Sequence, residues 1–352
     1  MQLLLVIVTS ILSISVYAKQ SAVDKLQLST GLSMGIVEAD DTRARVLGFN
    51  LGVRAEDKFN SYTDFFFDIS GTFEAGSNQS VGNIAEFKPN QGINLNNAGL
   101  LIVPFDFLSL TVGALDQGKF LSPLLITSTA FAAVEERFDF GNFYLRAQQS
   151  IPANNQLTQR VGTVDDATPY FGMEMLGMQF GKKTFFKLEV GHFSYKDLSS
   201  ATANISREMG NSVSGLNEAS KYNYGFEGTN SMMQFQHAFD SGLVLSLWGQ
   251  YLYNNEAPDG RNTGELINLG IGSKQMMIYA EAFRNESDSS PSFYNSKWYG
   301  HNNMQGNSVV MSVNNNSYSM DFKYTKANVI ENTLVQSDME LITFNLVKFY
   351  EI

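Results

Sequence analysis

His192 and Ser194 stand two residues apart, with Phe193 between them. An imidazole that removes the proton from a nearby hydroxyl produces an alkoxide nucleophile, and Asn204 is a candidate to orient the ring. Such a set would hydrolyse an acyl ester. An interfacial histidine beside Tyr195 accounts for the same residues without chemistry. His237 and His301 do not cluster with this pair, and both are expected at a surface or interface. The chain has no cysteine, hence no thiolate ligand, thiol nucleophile or disulfide framework. No phosphate-binding glycine loop, HExxH or calcium-loop pattern occurs, so neither metal nor cofactor is expected. Asp40-Asp41 and Asp165-Asp166 could hold divalent cations bridging lipopolysaccharide, but solvated loops are the simpler account.

The remaining charges suggest ion passage. Asp64, Asp68, Glu74, Glu135, Asp139, Glu189, Glu281 and Asp321, with Arg54, Arg137, Arg146, Lys187 and Lys323, each sit in a segment where apolar and polar residues alternate. Each also falls on the polar parity; beside Asp64, Asp68 and Glu74, for instance, Phe65, Phe67, Ile69 and Phe73 take the other. Lys or Arg facing mid-bilayer lipid costs about 2–4 kcal/mol. The charges therefore fix the phase, with the apolar parity toward lipid and the charged parity toward water. Eight acids against five bases predict a mildly cation-selective lining. Glu136 and Lys348 break the phase and are expected near an interface.

A period of two requires strands, whose successive side chains point to opposite faces. The pattern predicts sixteen of them, at about 26–38, 44–55, 62–75, 92–104, 107–117, 128–139, 142–152, 168–181, 184–197, 224–239, 243–255, 263–273, 275–286, 307–315, 318–328 and 339–352; one misread hairpin would give fourteen or eighteen. Tight joints at 106–107, 140–141, 181–183, 240–242, 273–274 and 315–317 alternate with longer polar stretches. An all-β, antiparallel up-and-down transmembrane barrel satisfies this pattern, with short periplasmic turns, longer extracellular loops and both termini periplasmic. The net charge of −11, with no basic tract, argues against nucleic-acid binding. Residues 1–18, uncharged, with an apolar run and ending Val16-Tyr17-Ala18, are expected to be a signal peptide ahead of a barrel over 19–352.

The last segment resembles the C-terminal strand of Gram-negative outer-membrane proteins, with Phe344, Leu346, Tyr350 and Ile352 on one parity. That resemblance implies recognition by the barrel-assembly machinery. The whole pattern resembles the general porins at the level of architecture. It implies an outer-membrane diffusion channel for small polar solutes, set among outer-membrane lipids and lipopolysaccharide, with a possible homotrimer and no enzymatic activity. The third external loop, 118–127, is short and apolar, unlike the long acidic constriction loop of those porins. Constriction is therefore expected from 198–222 or 287–306. Three alternatives stand beside this reading. A substrate-specific or hydrophobic-compound transporter would use Phe66, Phe185, Trp248 and Phe283 on the inward parity; a structural or adhesin barrel would act through its long loops. The third rests on His192 and Ser194, which resemble the His-x-Ser pair of outer-membrane phospholipase A. Trp248, Tyr251, Tyr253, Trp298 and Tyr299 are expected in interface girdles.

Overall fold

The structure, a computed structural model, describes residues 25–39, 42–78, 89–153 and 167–351. The expected signal segment 1–18, the acid pairs at 40–41 and 165–166, and Ile352 lie outside the described residues.

The strands are β1 (Lys25–Ala39), β2 (Thr42–Asn60), β3 (Thr63–Asn78), β4 (Gln91–Phe105), β5 (Leu108–Asp116), β6 (Ala130–Phe140), β7 (Phe143–Ile151), β8 (Tyr170–Phe180), β9 (Thr184–Lys196), β10 (Val213–Ser214), β11 (Lys221–Tyr222), β12 (Phe226–Ala238), β13 (Val244–Asn254), β14 (Thr263–Gly272), β15 (Met276–Asn285), β16 (Met304–Asn314), β17 (Tyr318–Val329) and β18 (Met339–Glu351). All but β10 and β11 form one closed antiparallel ring of sixteen strands. β18 pairs with β1 to complete it, and β9 pairs directly with β12 across the intervening loop. Sixteen strands spaced ~4.8 Å apart and tilted ~40° give a backbone radius of about 16 Å.

The cross-strand register keeps the apolar parity together. Phe344 lies opposite Met34 and Phe322, Leu346 opposite Leu32 and Met320, and Tyr350 opposite Leu28. These residues face outward, and the closed ring has no open edge. At the tight-turn end an aromatic girdle rings the wall, with Phe105 stacked on Phe107 at 5.5 Å and Phe143 edge-on to Phe180 at 6.1 Å. The turns themselves are conformationally demanding. Gly181 has φ 78°, and a Cβ there would lie 1.9 Å from the Thr184 carbonyl oxygen.

The sequence did not signal the structure within the loops. Helix α1 (Ser200–Glu208) is capped by Ser199, whose Oγ accepts the Thr202 N–H at 3.2 Å, and the β10–β11 ribbon follows it. At the long-loop end the barrel encloses a hydrophobic core. Phe120, Leu124, Leu125 and Ile126 from the loop after β5 are fully buried there among Phe131, Phe171, Met173 and Phe193 of the inner wall.

Candidate functional site: a plugged lumen with one open wall

Three loops interlock inside the barrel. The short 117–129 loop, expected to be too short and apolar to constrict, is the hub. Its leucines and isoleucine turn away from water onto the apolar inner residues of β6, β8 and β9. It reaches across the lumen: the Leu124 N–H donates to Gln250 Oε1 of β13 at 3.2 Å, and Asn230 Nδ2 of β12 donates to Ser122 Oγ at 2.8 Å. The 287–303 segment locks on, with Ser290 Oγ donating to the Leu124 carbonyl at 2.7 Å and the Thr127 N–H donating to the Tyr294 carbonyl at 2.7 Å. From the 197–225 loop, Asn211 Nδ2 donates to the carbonyls of Ser287 and Ser290 at 2.8 and 2.9 Å. Asn285, Asn295, Asn302 and Asn303 extend this amide network, and Gln336 joins it from the loop before β18. Buried amides and hydroxyls bonded to one another in this way specify one arrangement of the loops.

Two expectations are corrected here. Trp298 and Tyr299 belong to the plug, not to a girdle; Tyr299 is buried edge-on to Phe283 at 5.0 Å. His301 is a buried plug residue whose Nδ1 lies 2.9 Å from Asn295 Oδ1. Both follow from the loop's inward turn, which pairs its polar edges with amides and its rings with the inner wall.

The inner charges divide into two groups. On β6 to β17 the acids Glu135, Asp139, Glu189 and Glu281 each meet a cation, whereas Asp321 meets a neutral hydroxyl. Glu135 meets Lys119 of the plug at 2.6 Å, with Arg146 3.9 Å away. Glu189 meets Lys187 at 2.8 Å and accepts the Tyr144 hydroxyl. Asp139 meets Arg137 at 2.7 Å, and the guanidinium lies over the Tyr144 ring at 4.3 Å. Glu281 meets Lys323 at 2.7 Å and accepts from Asn268 Nδ2 at 2.9 Å and from the Tyr299 hydroxyl at 3.2 Å. Asp321 accepts from Ser312 Oγ at 2.5 Å. Sequence reading missed Lys119 and Tyr299, the two plug residues that engage these wall carboxylates. Burial pushes the Lys119 amine below the usual lysine range, and Glu135 restores part of the shift.

The β1–β5 wall differs. Its inner parity carries Ser29, Ser33, Gly35, Asn50 and Gly52, and a methyl added at Gly35 would meet nothing within 4 Å. A cavity of about 500 Å³ opens against its turn end, lined by Arg54, Asp64, Phe66, Asp68, Asn96 and Asp116 among others. Arg54 is taken up by Glu56 at 2.7 Å. Among the described residues, Asp68 accepts from Asn96 Nδ2 at 2.8 Å, Glu74 from the Asn90 N–H at 2.9 Å, and Asp116 from the Gly118 N–H and Ser128 Oγ at 2.9 and 2.8 Å. Those donors are neutral, and Lys25, Arg54 and Lys58 line the same cavity beside the acids. Asp116 was also missed, because it ends a strand and reads as a helix cap.

The hydrolytic set is not assembled. His192 points outward with Nε2 3.5 Å from Glu227 Oε1, while Ser194 Oγ is buried without a hydrogen-bond partner among the described residues. Asn204 lies in α1 inside the plug, where its Oδ1 accepts from the Asn217 N–H at 3.2 Å and Ser220 Oγ at 3.1 Å.

No protein-family model matches the chain, and no curated protein matches it in sequence. Solved structures do resemble it. The high-pH structure of Pseudomonas putida OprB superposes with a TM-score of 0.65 at 11% identity, covering 95% of this chain and 96% of that one. Salmonella typhi OmpF, in complex with daunomycin, gives 0.50 at 9% identity, covering 92% and 97%. A loop-deletion form of OmpT, an outer membrane protein of Vibrio cholerae, gives 0.50 at 10%, covering 92% and 99%.

Proposed function

From a fold that is the porin barrel of outer-membrane proteins, we propose that this chain resides in the outer membrane of a Gram-negative bacterium with both termini periplasmic. There it passes small hydrophilic solutes and ions by diffusion, with a mild preference for cations. No chemical step is involved. The observation that carries this reading is the asymmetry of the lumen. The plug and most of the paired charges occupy one side, while Asp64, Asp68, Glu74 and Asp116 line the other, where the hydrogen-bond donors to Asp68, Glu74 and Asp116 among the described residues are neutral. A narrow pore bordered by fixed negative charge raises the local cation concentration and lowers the anion concentration. Glu135, Arg146, Glu281 and Lys323 line the wall and hold the plug through Lys119, Phe120 and Tyr299; Arg137, Asp139, Lys187, Glu189 and Asp321 line the wall, and Arg54 borders the open side.

The lipid-facing strand β18, with Phe344, Leu346 and Tyr350 on its outer parity, is the segment the assembly machinery would read; outer-membrane lipid and lipopolysaccharide surround the belt. A substrate-specific channel is a second reading, favoured by the plug, in which three loops interlock through buried amides and hydroxyls and so narrow the lumen in one fixed shape. An adhesin is disfavoured, since 287–303 is buried when an adhesive loop would be displayed. Single-channel recording in planar bilayers tests the proposal. Ohmic steps with a reversal potential on the cation side support it, a step blocked by one solute class supports the specific channel, and silence over many insertions refutes both.

A further inference from the structure

The cavity of about 500 Å³ at the turn end of the β1–β5 wall has an ordered lining. Bases stand on β1 and β2, as Lys25, Arg54 and Lys58, and acids on β3 and β5, as Asp64, Asp68 and Asp116. Between the two sets lie a ring, Phe66, and an aliphatic side chain, Leu101. A Cβ on Gly99, opposite Phe66 on β4, would sit 2.9 Å from Phe66 Cζ, so the ring lies against the wall and forms the cavity floor. The pairing of β3 with β4 shifts register beside Asp68, and the consecutive residues Asn96 and Asn97 both line the cavity. Bulges of this kind re-aim side chains beside binding sites. Asn96 Nδ2 donates to Asp68 Oδ1 at 2.8 Å, and Asn97 Oδ1 accepts the Asp116 N–H at 3.2 Å.

The charges around this floor do not close on one another. Register sets Lys58 opposite Asp64 and Arg54 opposite Asp68. Opposite charges directly across a pair of strands ordinarily attract. Here Arg54 turns instead to Glu56 at 2.7 Å, which also takes Lys25 at 3.5 Å. Lys58, exposed, and Asp64, half-buried, have no ion pair or hydrogen bond among the described residues. The pair between these two rows is Glu56 opposite Phe66, which puts the ring at the centre of an unclosed quartet.

We propose that this cavity binds small zwitterions with an apolar or aromatic body, of the chemical class of amino acids and dipeptides. The ligand carboxylate meets Lys58 Nζ, its ammonium meets the carboxylate of Asp64 with Asp68 beyond, and its body lies on Phe66 and Leu101. A simple cation leaves Lys58 unmet and a simple anion leaves Asp64 unmet; a dipolar solute answers both. Bonds between ionised groups are about twice as strong as neutral ones, and an ammonium beside the ring gains from its negative face. The volume lies within the roughly 300–1,000 Å³ of small-molecule sites. The inference deepens the specific-channel reading by naming its solute class, and rests on that reading for transport though not for binding.

Calorimetric titration of the full chain in detergent, with phenylalanine as the probe, tests it. Phenylalanine amide lacks the carboxylate and N-acetyl-phenylalanine lacks the ammonium; each should bind at least tenfold more weakly. Glycine, which has no body to lay on the ring, should bind at least fivefold more weakly. Lys58→Met should weaken phenylalanine at least tenfold and bind it no better than the amide. Asp64→Asn should likewise erase the preference over the N-acetyl compound. The exchange of Lys58→Asp with Asp64→Lys should regain binding to within threefold, because a zwitterion can turn end for end. Heat-modifiable gel mobility reports that each variant has closed its barrel. An amide that binds as tightly as phenylalanine would reduce the cavity to a cation site and overturn the proposal, as would no binding at tens of millimolar. Planar-bilayer recording on the same preparation separates the two readings. A barrel that conducts but does not bind phenylalanine overturns this proposal alone, and a silent barrel that binds it with these preferences supports the site and overturns the channel.

Discussion

Replacing Phe131 with Ala tests the idea that the plug is held by the barrel's internal apolar core. Phe131 is fully buried on the inner face of β6, edge-on to Phe171 at 6.0 Å and to Tyr294 of the plug at 5.4 Å. Truncating a buried phenylalanine costs about 3–5 kcal/mol. The sixteen-stranded wall is closed by its own backbone hydrogen bonds, so most of that loss falls on docking of the loops. Full burial of each plug side chain such as Leu124 or Ile126 is worth about 1.5–3 kcal/mol, but ordering the loop cancels much of it at about 1–2 kcal/mol per residue. Every 1.4 kcal/mol is tenfold, so the docked-to-undocked ratio should fall by about two to nearly four powers of ten. In planar bilayers the variant should show frequent excursions to a conductance several times the parent's, while heat-modifiable mobility stays unchanged. Unaltered conductance in a folded Phe131→Ala barrel would refute the view that these loops narrow the path.

Neutralising the open wall with Asp64→Asn and Asp68→Asn should move the reversal potential toward zero in a salt gradient, with the effect shrinking in high salt. Separating Glu281 from its partner by Lys323→Met leaves a buried carboxylate unpaired, which typically costs about 3–5 kcal/mol; noise and lower thermal stability of the plug should follow, and differential calorimetry reads the second. Burial holds the phenols of Tyr222, Tyr294 and Tyr299 well above their ordinary value of 10. Their folded values exceed the unfolded one, so the stability they contribute is present below pH 10 and is lost as pH rises beyond it. Conductance should therefore rise above pH 10 while circular dichroism of the strands persists. Ser194→Ala should leave lipid hydrolysis at the background of a protein-free vesicle; an activity that the substitution removes would contradict the separation of Asn204 from His192.

The wall was legible in the sequence because a strand half in lipid and half in water writes its environment into every second residue. Phe65, Phe67 and Ile69 against Asp64 and Asp68 leave a single phase open. Strand limits agreed with expectation to within a few residues, as at β9 (Thr184–Lys196) against 184–197. The plug was not legible, for two reasons. Residues 118–127 are apolar in a place where length alone suggested a trivial connection, and the Asn and Ser run of 285–303 has the composition of a solvated loop. Only long-range contacts distinguish it: Asn302 Nδ2 satisfies the Ser290 carbonyl, and Asn295 Nδ2 donates to Ser290 Oγ.

Because the plug draws its parts from the chain near 120, 211, 295 and 336, no stretch of nascent polypeptide contains enough of it to fold alone. Closure by β18 comes last in sequence, and its partner β1 comes first. The obstruction is thus a late product of biogenesis: the newly inserted cylinder passes through a stage in which its bore is open and its greasy loop segments are still unhoused. Contacts separated by so many residues form slowly and expose the chain to misassembly.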